Sequence, residues 1–90
     1  MELKVFTLPT CSSCPAVKVI ARDIAEKFGF VFREVNLATE EGLREGLAYN
    51  IMSVPSIVLG DEVIAKGQVL SKERLEMEIA KRIEKWEKSL

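Results

Sequence analysis

The sequence predicts an α/β domain in which a four-stranded mixed sheet is covered by helices on both faces. The chain has 90 residues, the size of one domain. Short apolar runs alternate along it with stretches of helical periodicity, and one pair of runs is joined by a Gly-Asp turn. Strands that alternate with helices favour parallel pairing, whereas a tight turn adds an antiparallel hairpin. We therefore expect one domain, residues 1–90, with the order β-α-β-α-β-β-α.

The first third of the chain predicts a strand, a helix and a second strand. Residues 3–8 form a short apolar run that suits a buried strand. Pro15 fits the first turn of the following helix, and Gly29 is placed to end it. Residues 30–36 form the second strand, and such a βαβ unit is expected to be parallel and right-handed. One apolar face of the helix is formed by Val17, Ile20, Ala21, Ile24 and Phe28.

A second helix is predicted over residues 39–50. Thr39 is a suitable N-cap for it, and acidic residues follow in the first turn. Gly42 and Gly46 weaken the prediction, because each costs about 1 kcal/mol relative to alanine inside a helix.

The last third predicts a hairpin and a final helix. Residues 54–59 and Glu62 to Lys66 are expected to pair around the Gly60-Asp61 turn, and Gly67 ends the hairpin. Ser71 is expected to cap the final helix. Its apolar stripe consists of Leu75, Ile79, Ile83, Trp86 and Leu90.

Composition excludes several classes of function. Hydrophobic residues make up 48% of the chain and charged residues 30%, which is typical of a soluble globular protein. The net charge of −1 offers no basic field for nucleic acid or an anionic membrane. No run approaches the roughly 20 apolar residues that span a bilayer, and the N-terminus lacks the features of a signal peptide. We therefore expect a cytoplasmic monomer that binds neither nucleic acid nor membranes.

The two cysteines, Cys11 and Cys14, are separated by two residues in the segment PTCSSCP. Structural disulfides are rare in the cytosol, so this pair is expected to be catalytic or metal-binding. The predicted elements place Cys11 before the first helix, where unpaired N–H groups and the helix dipole favour a thiolate and lower the pKa of a cysteine from about 8.5. Cys14 is expected to be more buried and close enough to form a disulfide with Cys11.

This spacing predicts thiol–disulfide exchange. Cys11 would attack a disulfide of a partner, and Cys14 would then attack the mixed disulfide and release the reduced partner. Ser12 and Ser13 carry the N–H groups nearest Cys11, and their hydroxyls can hydrogen-bond the thiolate. Histidine is absent, so the helix end is the expected activator. The reaction requires a reductant to reset the pair, but no cofactor.

Other interpretations stay open at this point. Zinc requires four ligands, and two copies of the chain could supply them from their cysteine pairs. A binding module without turnover could use Met52, Val54 and the cysteine loop to dock a partner. These two side chains form an exposed apolar rim or simply pack against a helix. Lys18 either helps to ionise the cysteines or is an ordinary surface lysine.

Two segments, PTCSSCP and YNIMSVPSIVLGDEVIAKG, resemble the thioredoxin/glutaredoxin superfamily, and the similarity extends over nearly the whole chain. The resemblance implies a thioredoxin fold and a thiol–disulfide oxidoreductase. It also implies that Pro55 is cis and lies against the cysteine pair. Val54 would bind an extended segment of a partner through its backbone, and Gly67 would let the partner's backbone approach. The implied partners are protein disulfides and a thioredoxin-reductase-like or small-thiol reductant.

The chain also departs from the better-known members of this superfamily. Its size is closest to glutaredoxins and to the short thioredoxin-like proteins of archaea and some bacteria. Its Cys-Ser-Ser-Cys motif is neither the CGPC of thioredoxins nor the CPYC of many glutaredoxins. Val5 replaces the buried acid that thioredoxins carry six residues before the first cysteine, and Thr10 replaces their tryptophan. The segment after Gly67 lacks the acids that hold glutathione, which favours protein disulfides as substrates.

Overall fold

The computed structural model describes residues 1–88. Within them, the strands are β1 (Glu2–Thr7), β2 (Val31–Asn36), β3 (Ser56–Leu59) and β4 (Glu62–Lys66). The helices are α1 (Cys14–Phe28), α2 (Glu40–Ala48) and α3 (Lys72–Lys88). This is the predicted order of elements. Leu90, the expected end of the apolar stripe on α3, lies outside the described residues.

The sheet has the strand order β2-β1-β3-β4. β1 and β2 are parallel, with a register that runs from Glu2 opposite Val31 to Thr7 opposite Asn36. β3 is antiparallel to both of its neighbours, β1 and β4. The sheet is therefore mixed, as expected, and β2 is an edge strand.

Each face of the sheet is covered by helices. On one face, residues of α1 and α3 form a buried cluster with β1, β3 and β4, and Ile83 and Trp86 pack against it. On the other face, a second buried cluster contains Phe6 and Leu37, both of which face Gly46 of α2. None of the helices within residues 1–88 combines the length and the apolar character needed to cross a bilayer.

The limits of α1 are those that proline and glycine predict. Cys14 is its first residue, and Pro15 occupies the first turn. Gly29 follows the last residue with a φ of 75°, a left-handed conformation that glycine adopts without steric cost. Between these limits, Val17, Ala21 and Ile24 are buried, which confirms the predicted apolar face.

Several predicted boundaries were wrong by one or two residues. β2 begins at Val31 rather than residue 30. β1 is displaced by one residue towards the N-terminus. α2 ends at Ala48 rather than residue 50, because Asn50 takes a positive φ of 57° that a right-handed helix cannot accommodate. β3 begins at Ser56 rather than residue 54, because Pro55 has no N–H to donate to the ladder.

The two glycines of α2 permit close packing, which explains why a helix forms despite their low propensity. The Thr39 hydroxyl accepts a hydrogen bond from the backbone N–H of Gly42 at 2.9 Å, so the predicted cap is confirmed. A Cβ on Gly42 would collide with the carbonyl of the last residue of β2. A Cβ on Gly46 would lie 2.7 Å from Cδ2 of Leu37.

An ionic cluster joins α2 to the sheet. Arg33 on β2 binds both carboxylate oxygens of Glu45, at 2.6 and 3.0 Å, and Lys4 Nζ lies 3.2 Å from Oε2. Burial acts to raise the pKa of Glu45, but the hydrogen bonds and positive charges of Arg33 and Lys4 outweigh it and hold the pKa below its ordinary value. The ionised carboxylate therefore stabilises the contact between α2 and the strands.

Candidate redox site

The two cysteines form a disulfide at the junction between the β1–α1 loop and α1. Their Cα atoms are 5.4 Å apart, within the range typical of disulfides. Cys14, the first residue of α1, is only 4% exposed, whereas Cys11 lies in the loop and is half-buried. The backbone N–H of Cys11 donates to the carbonyl of Leu8 at 3.0 Å and holds the loop against the end of β1. The expected difference in burial between the two cysteines is confirmed.

The first turn of α1 is open to an anion. Ser13 occupies the N-cap position, but its side chain makes no capping hydrogen bond, and no acidic residue lies in the first turn. The N–H groups of a first turn have no partner inside the helix, and the positive end of the dipole lies there. Ser12, next to Cys11, is exposed. A negatively charged sulfur at this position would therefore face backbone donors without competition from a side-chain carboxylate.

The segment before β3 carries several of the other predicted site residues. The Val54-Pro55 peptide bond is cis, as the resemblance implied. Pro55 is buried, and Val54 is half-buried against the second core cluster. Met52, in contrast, is 76% exposed. Met52 is therefore exposed, as an apolar rim requires, whereas Val54 packs against the core.

Gly67, which follows β4, has a φ of 65°, and a Cβ there would lie 2.6 Å from Oγ of Ser53. Its backbone N–H donates to Oγ of the buried Ser56 at 3.1 Å, and the same hydroxyl donates to the carbonyl of Ser53 at 2.7 Å. One hydroxyl thus ties the end of β4 to the segment that precedes Pro55. This structural role of Gly67 was not evident from the sequence.

A cavity of about 180 Å³ opens beside the cysteine pair. Cys11, Cys14, Lys18 and Glu34 line it, whereas Val54, Pro55 and Gly67 do not. Lys18 Nζ lies 3.4 Å from Oε1 of Glu34, so this lysine is part of a polar cluster at the site rather than an isolated surface charge.

Sequence reasoning missed two members of this cluster. Thr7 Oγ1 donates to Oε2 of Glu34 at 3.0 Å, and neither residue was singled out as part of a site. The signal that would have found them is the register of the parallel pair, which places Glu34 opposite Val5 on the face that α1 covers. The sequence does not specify that register.

Comparison with known proteins decides the family. A family model described as "Thioredoxin domain" matches residues 1–80. The chain belongs to the thioredoxin family. It is 30% identical over 83 residues to a thioredoxin of Methanocaldococcus jannaschii, an alignment that covers 92% of this chain and 96% of the relative. It is also 34% identical over 65 residues to a protein of Archaeoglobus fulgidus named "Probable Thioredoxin", covering 72% and 71% of the two chains.

A solved thioredoxin shares the fold. Thioredoxin 1 from the thermophilic eubacterium Thermosipho africanus superposes with a TM-score of 0.76 and 20% identity, covering 93% of this chain and 96% of that one. The four-stranded mixed sheet with helices is thus the thioredoxin fold, as the resemblance implied. With thioredoxin relatives and the Cys11–Cys14 disulfide, this member of the thioredoxin family is a thiol–disulfide oxidoreductase.

Proposed function

We propose that this member of the thioredoxin family reduces protein disulfides, with Cys11 as the attacking thiolate and Cys14 as the resolving thiol. The observation that carries the proposal is the unequal exposure of the two sulfur-bearing residues at an open helix end. Cys11 is accessible to a partner, whereas Cys14 is 4% exposed. The uncapped first turn of α1 supplies the backbone donors and the dipole that stabilise a thiolate on Cys11.

The reaction proceeds in two exchanges. The Cys11 thiolate attacks one sulfur of a partner disulfide, forms a mixed disulfide and releases the other partner sulfur as a thiolate. Cys14 then loses its proton and attacks Sγ of Cys11. The Cys11–Cys14 disulfide forms, and the second partner sulfur leaves. The partner has gained two electrons, and the cysteine pair has lost them.

Substrate binding is proposed to involve backbone around the cysteines and the segment before β3. Ser12 and Ser13 would direct N–H groups and hydroxyls towards the reacting sulfur. Val54 would pair its backbone with an extended partner segment, with Pro55 beside the sulfurs and Gly67 leaving room for the partner's backbone. The exposed Met52, two residues before Val54, supports this placement.

The remaining proposals concern the cellular setting. A thioredoxin-reductase-like flavoprotein or a small thiol would return the electrons, and the chain itself would need no cofactor. A dithiol that must stay reduced suits the cytoplasm. We propose a monomer with one domain over residues 1–90 that binds neither nucleic acid nor membrane, in line with its net charge of −1.

The test is reduction of insulin disulfides with dithiothreitol as the electron donor. Cys11→Ser and Cys14→Ser variants should both lose turnover, and Cys14→Ser should accumulate a mixed disulfide through Cys11. Circular dichroism of each variant controls for folding. Turnover that persists in Cys11→Ser would contradict the proposal. Stoichiometric zinc in freshly prepared protein, shared between two copies, would instead support a binding module.

A further inference from the structure

We propose that the carboxylate of Glu34 accepts the proton that Cys14 loses when it attacks the mixed disulfide. The inference rests on the proposed roles of Cys11 and Cys14. Glu34 lies on β2 and lines the same cavity as the two cysteines.

The second exchange needs a proton acceptor because the thiolate, not the thiol, is the nucleophile. An ordinary thiol with a pKa of about 8.5 is only about 3% ionised at pH 7. Cys14 is 4% exposed, so contact with bulk water is limited. The sequence contains no histidine, the side chain that most often takes protons at neutral pH. A side chain near Cys14 that accepts the proton would therefore speed the second exchange.

The cavity of about 180 Å³ is lined by both the resolving cysteine and one carboxylate. Within the described part of the chain, the titratable side chains that line it are Cys11, Cys14, Lys18 and Glu34. A protonated lysine cannot accept a proton, which leaves the carboxylate of Glu34. The cavity has room for several water molecules, each of which occupies about 30 Å³ in the liquid. A proton can therefore pass from Cys14 to Glu34 through solvent in the cavity.

Glu34 is held in place from two directions. The register of β1 and β2 puts it opposite Val5, on the face covered by α1. The hydroxyl of Thr7, a residue only 5% exposed, donates to Oε2 at 3.0 Å, and Lys18 Nζ of α1 lies 3.4 Å from Oε1. The Glu34 side chain is nevertheless 41% exposed on an edge strand. It can thus face the cavity and then release the proton to bulk water.

The S–H bond of Cys14 breaks as its proton goes to the Glu34 carboxylate, and the sulfur's electron pair forms the new bond to Sγ of Cys11. The bond between Cys11 and the partner sulfur breaks, and the partner leaves as a thiolate.

The test uses the reduced protein and excess dithiobis(nitrobenzoate), an aromatic disulfide whose thiolate product is coloured. The first release of colour reports attack by Cys11 and depends on reagent concentration. The second reports attack by Cys14 on the mixed disulfide and does not. Glu34→Gln should leave the first phase within about 2-fold of the parent. It should slow the second phase by about 10- to 30-fold at pH 7, and by less than about 2-fold at pH 9, where a thiol ionises unaided.

The sign of the change separates this role from a purely electrostatic one. Removing a negative charge near Cys14 favours its thiolate, so an electrostatic role predicts a faster second phase in Glu34→Gln. A faster or unchanged second phase at pH 7 would overturn the proposal.

Two matched variants complete the experiment. Glu34→Asp keeps a carboxylate and should retain most of the second-phase rate. Glu76 also pairs with one lysine, Lys27, at 3.2 Å, but it lies far from the cysteines along the chain. Glu76→Gln should therefore change neither phase. If the parent protein itself shows no second phase, the proposed role of Cys14 fails, which is a different outcome from the failure of Glu34.

Discussion

Replacing Ser56 by alanine tests whether its hydroxyl holds in place the segment that is proposed to bind substrate. Ser56 is fully buried. Its hydroxyl donates a hydrogen bond to the carbonyl of Ser53 at 2.7 Å and accepts one from the backbone N–H of Gly67 at 3.1 Å. The Ser56→Ala variant removes both bonds and leaves the shape of the strand unchanged. We expect lower stability together with weaker reduction of protein disulfides.

The magnitude follows from the surroundings of the two partners. A buried group left without a partner costs about 1–3 kcal/mol. Ser53 and Gly67 are exposed residues, so water can partly replace the lost bonds, and the lower limit applies to each. The sum is about 2 kcal/mol. For a domain of this size, 1 kcal/mol corresponds to about 4–8 °C in melting temperature, so Ser56→Ala should melt about 8–16 °C lower.

The assay is thermal unfolding of the oxidised protein followed by circular dichroism. Ser53→Ala is the matched control, because it removes a neighbouring hydroxyl but keeps the carbonyl that Ser56 binds. It should shift the melting temperature by less than about 4 °C, as surface substitutions usually do. A Ser56→Ala variant that melts within that same margin would show that the two hydrogen bonds do not stabilise the fold. Insulin reduction should fall in Ser56→Ala, while reaction of Cys11 with dithiobis(nitrobenzoate) should not.

Three further predictions concern packing and charge. Gly42→Ala should lower the free energy of unfolding by about 2 kcal/mol in urea titrations, because the new Cβ meets a backbone carbonyl of β2 that cannot move aside; equal or higher stability would contradict this. Glu45→Gln should cost about 1 kcal/mol at pH 7 by weakening the contact with Arg33. Since the folded state lowers the pKa of Glu45, its contribution is present above the ordinary value near 4.3 and should be lost as the pH falls through the lowered pKa of the folded state. A difference independent of pH would refute this cause. Ile79→Ala should lower the free energy of unfolding by about 2–5 kcal/mol, because this side chain of α3 is fully buried. Met77→Ala, at a residue that is 48% exposed, should change it by no more than about 0.5 kcal/mol. Similar losses in the two variants would contradict the assigned buried face of the helix.

Local signals explain why most elements could be predicted from the sequence. Pro15 and Gly29 mark the two ends of α1 because each favours one backbone conformation. The Gly60-Asp61 turn lies between β3 and β4 as expected. Gly42 and Gly46 weakened the prediction of α2, yet the helix forms. Helix propensity describes an isolated helix and takes no account of tertiary packing. The structure shows that Gly42 is required by a contact with β2, and such contacts depend on tertiary packing.

The candidate site was predictable only where it is local in the chain. The spacing of Cys11 and Cys14 within one turn of a helix start is visible in the sequence, and their unequal burial follows from it. Glu34 lies in β2, about 20 residues after the cysteines along the chain. Its position on the same cavity as the cysteines depends on the pairing register of β1 and β2. The cis state of Pro55 is likewise not determined by its neighbours in sequence; the family resemblance supplied it.

In the reduced protein, the first turn of α1 is expected to hold the sulfur of Cys11 as a thiolate, and alkylation by iodoacetamide over a pH series measures this ionisation. The Cys14→Ser variant reports Cys11 alone, and Cys11→Ser reports Cys14 alone. We expect the rate for Cys11 to reach half its maximum well below pH 8.5, the midpoint of an ordinary thiol, and Cys14 to react slowly across the same range. A midpoint for Cys11 at or above pH 8.5 would contradict it.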